Sequence, residues 1–206
     1  MKNKKTKYSI FFKTAILITA VVFTVRIDAF AQNDAKQPDP MEQMLSLSAP
    51  GANHLLLAQL VGNWNFQDAK LAFVKGTLTR KAIYSGRFFL VELTGGKLSV
   101  PVANGQMKED NYQSMQIEGY DNPRKKFVMT SINNHIGSDI QEQTGDYNPD
   151  KKQFTFIWDD LLTPGALVNN KRVLTVIDQD HYKEEYFEIN NGKDIKVREL
   201  DYNRIK

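Results

Sequence analysis

After Gly62 the apolar pattern changes from a period of 3.6 to a period of two, with turn-forming clusters about every ten residues and a few strands, such as Phe88-Phe89-Leu90-Val91, apolar on both faces. Trp64 and Phe66 alternate with Asn63, Asn65 and Gln67; Phe127 and Met129 lie opposite Val128, Thr130 and Ile132; Phe154, Phe156 and Trp158 line one side of Gln153–Asp159. Further runs are Thr77–Ser85, Phe88–Leu93, Tyr112–Tyr120, Arg172–Ile177, Tyr182–Ile189 and Ile195–Arg204. Between runs stand Gly95-Gly96, Asp121-Asn122-Pro123-Arg124, Asn148-Pro149-Asp150-Lys151, Asp178-Gln179-Asp180 and Asn190-Asn191-Gly192-Lys193, all with hairpin chemistry. A period of two puts successive side chains on opposite faces of a strand, so the region cannot be helical without scattering its apolar residues. Some nine or ten consecutive strands joined by short turns predict an all-β, up-and-down antiparallel barrel, with a Greek-key sandwich as the rival.

One helix is expected ahead of the strands. Leu55, Leu56, Leu57, Leu60 and Val61 gather on one face at three- and four-residue spacing, Asn53 is placed to cap them, and Gly62 ends the run. Upstream, residues 32–51 are polar and proline-bearing and read as a tether, with a turn or two of helix over Met41–Leu47. The barrel domain is thus assigned to residues 52–206.

The first thirty-one residues have the form of a secretory signal. A basic start, MKNKKTK, precedes an apolar core at Ala15–Val25, and Ala29-Phe30-Ala31 is a small-x-small site for cleavage after Ala31. An uncleaved N-terminal membrane anchor is the alternative, since the apolar stretch extends back to Ile10. The segment also changes the charge argument. The whole chain carries 27 Lys+Arg against 24 Asp+Glu, but residues 1–31 hold five lysines, Arg26 and Asp28, which leaves 21 basic against 23 acidic residues. A mature chain near −2 has no basic stripe for nucleic acid. With the signal removed, no membrane attachment is expected either, so the expected location is periplasmic or secreted. The chain contains no cysteine, which excludes disulfides, thiolate metal sites, a cysteine nucleophile and a lipidated cysteine.

Four short motifs carry a resemblance. His54-x-x-Leu57-x-x-Leu60-Val61-Gly62-x-Trp64, Gly86-Arg87-Phe88-Phe89-Leu90, Gly119-Tyr120-Asp121-Asn122 and Glu199-x-x-Tyr202-x-Arg204, in that order, resemble a bacterial family catalogued as domain of unknown function 1579. The resemblance runs from about His54 to Arg204. It implies a lipocalin-like (calycin) barrel, in which Gly62-Asn63-Trp64 is the G-x-W that opens the first strand. Where relatives tend to show W-x-D after the Gly119–Asn122 hairpin, this chain has Ser131-Ile132-Asn133, so no role resting on that aromatic or acid carries over. The resemblance implies a fold and no reaction, and function has to be argued from sites.

In a closed barrel the first and last strands become neighbours, which lets the Arg204 guanidinium lie over the Trp64 indole and seal the barrel floor. Phe66, Phe127, Phe154, Phe156, Trp158 and Tyr186 supply an aromatic lining for a small apolar or lipid-like ligand. Period-two counting puts Tyr182, Glu184, Tyr186 and Glu188 on one face and Ile195, Val197, Glu199, Asp201 and Asn203 on another. If Glu184 and Glu199 point inward with Tyr186, they become candidate acid/base residues of an envelope enzyme; the alternative is that these strands are half exposed, with Glu184 and Glu188 solvated and pairing with Lys183, Lys196 or Arg198. No cofactor is expected. Haem through His135 or His181 is a remote alternative, and no histidine spacing suits a metal. Thr94–Asn111 is long for a hairpin connection and reads as an entrance flap, and Asp160–Lys171 reads as an apolar loop over the mouth. The functional expectation is an exported ligand-binding barrel, with an enzyme or a side-chain-filled interaction protein as rivals.

Overall fold

The computed structural model describes residues 39–206, apart from the side chains of Leu162 and Thr163; the segment read as a secretory signal and the first part of the one read as a tether lie outside the described residues. Two short helices, α1 (Pro40–Ser48) and α2 (Ala52–Ala58), precede ten strands. The strands are β1 (Gly62–Asp68), β2 (Lys75–Ile83), β3 (Phe88–Pro101), β4 (Met107–Asp121), β5 (Lys126–Asn133), β6 (Gln141–Asn148), β7 (Gln153–Thr163), β8 (Ala166–Val176), β9 (His181–Asn190) and β10 (Lys193–Arg204). Each pairs antiparallel with the next, and β1 pairs with β10, so the sheet closes into an up-and-down barrel. Closure leaves no strand edge without a hydrogen-bonding partner.

Alternation decides what points inward. Trp64 and Phe66, Leu78 and Arg80, Phe89 and Val91, Phe127 and Met129, Phe154 and Phe156, Arg172 and Leu174, Tyr182 and Glu184, and Leu200 and Tyr202 are all buried, each pair two residues apart. One end of the barrel is plugged. Helix α2 buries Leu57 and His54, and Leu60 follows it into the core. The Trp64 indole Nε1 donates to the Leu60 carbonyl at 3.0 Å. From there aromatic rings run around the plug: His54 on Tyr120, Tyr120 on Phe127, Phe127 on Phe154 and Phe154 on Tyr147, with Tyr182 stacked on Tyr202 at 4.3 Å. Edge-on and offset packing of this kind adds to the area each ring buries.

Several expectations need correcting. The helix N-cap is Gly51, not Asn53, and the residue that satisfies its backbone is His54, whose Nδ1 accepts the Gly51 N–H at 3.0 Å. No flap exists over Thr94–Asn111: β3 and β4 stay paired out to Pro101↔Met107, and only residues 102–106 connect them. Gly95-Gly96 is a register shift inside the strand instead of a turn, a use of glycine that sequence patterning does not separate from a turn. Likewise β7 and β8 remain paired out to Thr163↔Ala166, so the apolar loop read at Asp160–Lys171 shrinks to Pro164-Gly165. Leu161, Leu167 and Val168 stay exposed on that hairpin. In both places the two arms of one hairpin satisfy each other's backbone, so strands extend beyond the point where the core stops rewarding them.

The Gly119–Asn122 motif ends β4 and turns into β5. Asn122 Nδ2 donates to the carbonyls of Leu47 and Ala49, at 2.8 and 3.1 Å, which fastens the end of α1 to the barrel. Asp121 accepts the Arg124 backbone N–H at 2.9 Å and tightens the turn.

Candidate binding cavity

Beyond the aromatic plug the barrel is hollow. A cavity of about 530 Å³ opens at the end away from α2, with its rim built by Leu71, Phe73, Lys97, His135, Ile136 and Asp139. Its wall is largely apolar, from Phe66, Leu78, Leu93, Met129, Trp158 and Leu200. Its floor is ionic.

Arg80, Glu118, Arg172 and Glu184 are all fully buried. Arg80 Nη2 donates to Glu118 Oε1 at 3.1 Å and its Nε lies 3.0 Å from Oε2 without lining up for a second hydrogen bond, an ion pair that reaches across β3 from β2 to β4. Glu184 Oε2 accepts the Tyr186 hydroxyl at 2.6 Å and the Tyr202 hydroxyl at 3.3 Å, while Arg172 Nη1 stands 3.5 Å from its other oxygen. Burial works against the charge on both arginines, but the nearby carboxylates outweigh it and hold both guanidinium pKa values above their already high range. Burial first, and then the Glu184 carboxylate, hold the Tyr186 and Tyr202 phenols well above the usual range. At neutral pH the floor therefore presents two guanidinium ions and intact phenols. Several of its polar atoms have no hydrogen-bond partner in line: Arg172 Nε, Arg80 Nε and Nη1, Glu118 Oε2, the Tyr182 hydroxyl and Gln143 Oε1.

A second polar group stiffens the wall nearer the mouth. Asp160 accepts Trp158 Nε1 at 3.1 Å, Asn170 Nδ2 at 3.0 Å and Gln141 Nε2 at 3.1 Å, and Gln143 donates to Gln141 at 2.7 Å.

Of the aromatic residues singled out from sequence, Phe66, Trp158 and Tyr186 face the cavity. Phe127, Phe154 and Phe156 belong to the packed core; Phe156 also carries the Arg172 guanidinium over its ring at 4.7 Å. Arg204 sits 4.1 Å over the Trp64 ring, opposite it in register. Glu184 points in. Glu199 does not: in the β9–β10 register Leu200 faces Glu184 and Tyr202 faces Tyr182, so position 199 must face outward. There it meets Lys196 at 2.5 Å and Lys183 at 3.8 Å, and the Lys196 contact lowers its carboxyl pKa. Glu188 is exposed as well. His181 lies 3.6 Å from Asp201 on the outer surface, and His135 is at the cavity rim. No group of three or more metal-ligating side chains occurs among the described residues.

Arg80, Glu118 and Arg172 were not singled out from sequence, although the signal was present. Each lies two residues from an inward apolar or aromatic neighbour, Arg80 from Leu78, Glu118 from Tyr120 and Arg172 from Leu174, so strict parity puts a charge on the inside. What parity cannot supply is a partner, and an unpartnered charge inside a barrel is too costly to assume.

Fold and site together define a ten-stranded antiparallel barrel, plugged by a helix at one end and open at the other to a cavity with an ionic floor. Residues 49–204 match the family described as protein of unknown function DUF1579, and the chain belongs to that family. No match was found among curated proteins.

Proposed function

We propose that the protein is an exported binding protein whose barrel takes up one small amphipathic molecule, tail against the apolar wall and polar head on the floor. The observation that carries this reading is the cavity itself. At about 530 Å³ it lies within the range of small-molecule sites, is mostly apolar, and converges on a few fixed polar groups. A barrel filled by its own side chains would leave no such space. An enzyme using Glu184 as a base is disfavoured because one carboxylate oxygen already accepts from two phenols and the other faces a guanidinium, at 3.5 Å, instead of the open cavity. Export is supported by the basic start, the apolar core and the Ala29-Phe30-Ala31 site.

The test is native mass spectrometry of the protein purified from its source cells without detergent, beside a Leu93→Trp variant that fills the cavity. A bound molecule released on denaturation, and missing from the variant, is the expected result. A bare wild-type protein that also takes up nothing from an extract of the same cells would end the binding reading.

A further inference from the structure

The floor spends its charges unevenly. Arg80 donates one hydrogen bond to Glu118, at 3.1 Å, and brings its Nε within 3.0 Å of the other carboxylate oxygen. Arg172 is not held in that way. Its counter-charge, Glu184, makes its closer contacts with Tyr186 and Tyr202 and stands 3.5 Å from Arg172 Nη1, at the far limit of a hydrogen bond. Arg172 Nη2 donates to the Met129 sulfur at 3.3 Å, and a thioether is a weak acceptor; the Tyr186 phenol is a further polar neighbour of the guanidinium. Arg172 Nε has no acceptor in line, and neither do Arg80 Nε and Nη1. A buried guanidinium with a donor unmet and its others weakly met is costly, because each desolvated donor forfeits the hydrogen bond it made in water.

The missing groups are acceptors. The floor's two carboxylates are already set against its guanidinium ions and phenols, so a head group that brought further donors would find few free acceptors: Gln143 Oε1, which faces the cavity, and Glu118 Oε2 beside Arg80. The approach from solvent has the same character. Lys75, Lys97 and Arg198 line it against Asp139 and Asp160, and Asp160 is already taken up by Trp158, Asn170 and Gln141. A planar anion with two oxygens matches the fork of a guanidinium, whereas a point cation does not.

We infer that the bound amphiphile carries a single carboxylate head, received by Arg172 with Arg80 behind it, and an unbranched or aromatic tail along Leu78, Leu93 and Trp158. The inference rests on the ligand-binding reading above and can fail while that reading survives. Glu184, on this account, is a positioning residue: drawn away by two phenols, it leaves Arg172 charged and open to the ligand.

Isothermal titration calorimetry of the protein with decanoate, 1-decanol and decylamine, below their micellar concentrations at neutral pH, tests it. Decanoate is expected to bind at least tenfold more tightly than either analogue. Glu184→Gln is expected to widen the ratio of decanol to decanoate dissociation constants several-fold, because the competing carboxylate is neutralised. Arg172→Gln made together with Glu184→Gln, which leaves no buried carboxylate unpaired, should bring that ratio to about one. If decanol matches decanoate in the wild-type protein, or decylamine binds best, the carboxylate inference is overturned and the binding reading stands. If none of the three binds and the native mass spectrum is also bare, both are overturned.

Discussion

Replacing Arg204 by Met is expected to destabilise the protein by about 3–4 kcal/mol, more than any exposed arginine should cost. The guanidinium joins three parts of the chain. Its Nη1 donates to the Val61 carbonyl at 2.6 Å, its Nη2 to Gln59 at 3.1 Å and its Nε to Gln179 at 2.8 Å, while its plane covers Trp64 at 4.1 Å. Gln59 and Val61 lie at the C-terminal end of α2, where helix carbonyls lack partners and a cation is favoured. Hydrogen bonds from a charged donor contribute roughly 1.5–3 kcal/mol each when dry. The Arg204 side chain is 23% exposed, and water can reach the carbonyls once it is shortened. About 1 kcal/mol per bond is therefore the sounder figure, with about 0.5–1 kcal/mol more for the cation over the indole. Met retains much of the apolar stem, so little of the loss should come from packing.

Urea denaturation followed by tryptophan fluorescence measures the difference, and the melting temperature should fall by roughly 6–15 °C. Arg204→Lys should recover at most about half, since a point charge cannot serve three carbonyls and a ring at once. A cycle with Trp64→Leu should give a coupling of about 0.5–1 kcal/mol. A loss below about 1 kcal/mol for Arg204→Met, with an unchanged denaturant slope, would show that strand pairing alone closes the barrel and that this clasp contributes little.

Two other predictions follow from the same packing. A Cβ at Gly76 would lie 2.1 Å from the Thr94 carbonyl oxygen, 2.8 Å from Gly95 Cα and 2.9 Å from Phe66 Cε1, so Gly76→Ala must push β2 from β3; a loss of about 2–3 kcal/mol is expected in thermal denaturation, and a neutral outcome would contradict that close approach. His54 is held neutral because burial lowers its pKa, and its Nδ1 has to stay unprotonated to accept the Gly51 N–H. Its contribution is therefore fully present above the free imidazole value of about 6.5 and declines as pH falls below that. His54→Gln keeps an acceptor without the titration, so its urea midpoint should fall less between pH 7.5 and pH 5 than that of the wild type; equal falls would remove His54 as the cause.

What the chain determined by itself is what a strand knows locally. Alternation in β1, β5, β7 and β9 names the inward residues directly, because side-chain parity depends on nothing beyond the strand. The resemblance to a barrel family and the placing of Trp64 and Arg204 at the two ends of the strand series needed no coordinates either. Parity misled only where two readings of one signal compete. Gly95-Gly96 has the composition of a turn and the geometry of a bulge, and Glu199 has the right spacing for either face until its neighbours Leu200 and Tyr202 fill the interior.

The tertiary structure decided the rest, for reasons of distance. Arg80 and Glu118 are 38 residues apart, and Arg172 meets Met129 across 43. A buried charge is affordable only when such a partner exists, and closing the sheet is what creates it. The same closure decided that the aromatic residues fill one end and stop. An alternating sequence specifies which residues face inward, but how much space they enclose is a property of ten strands at once.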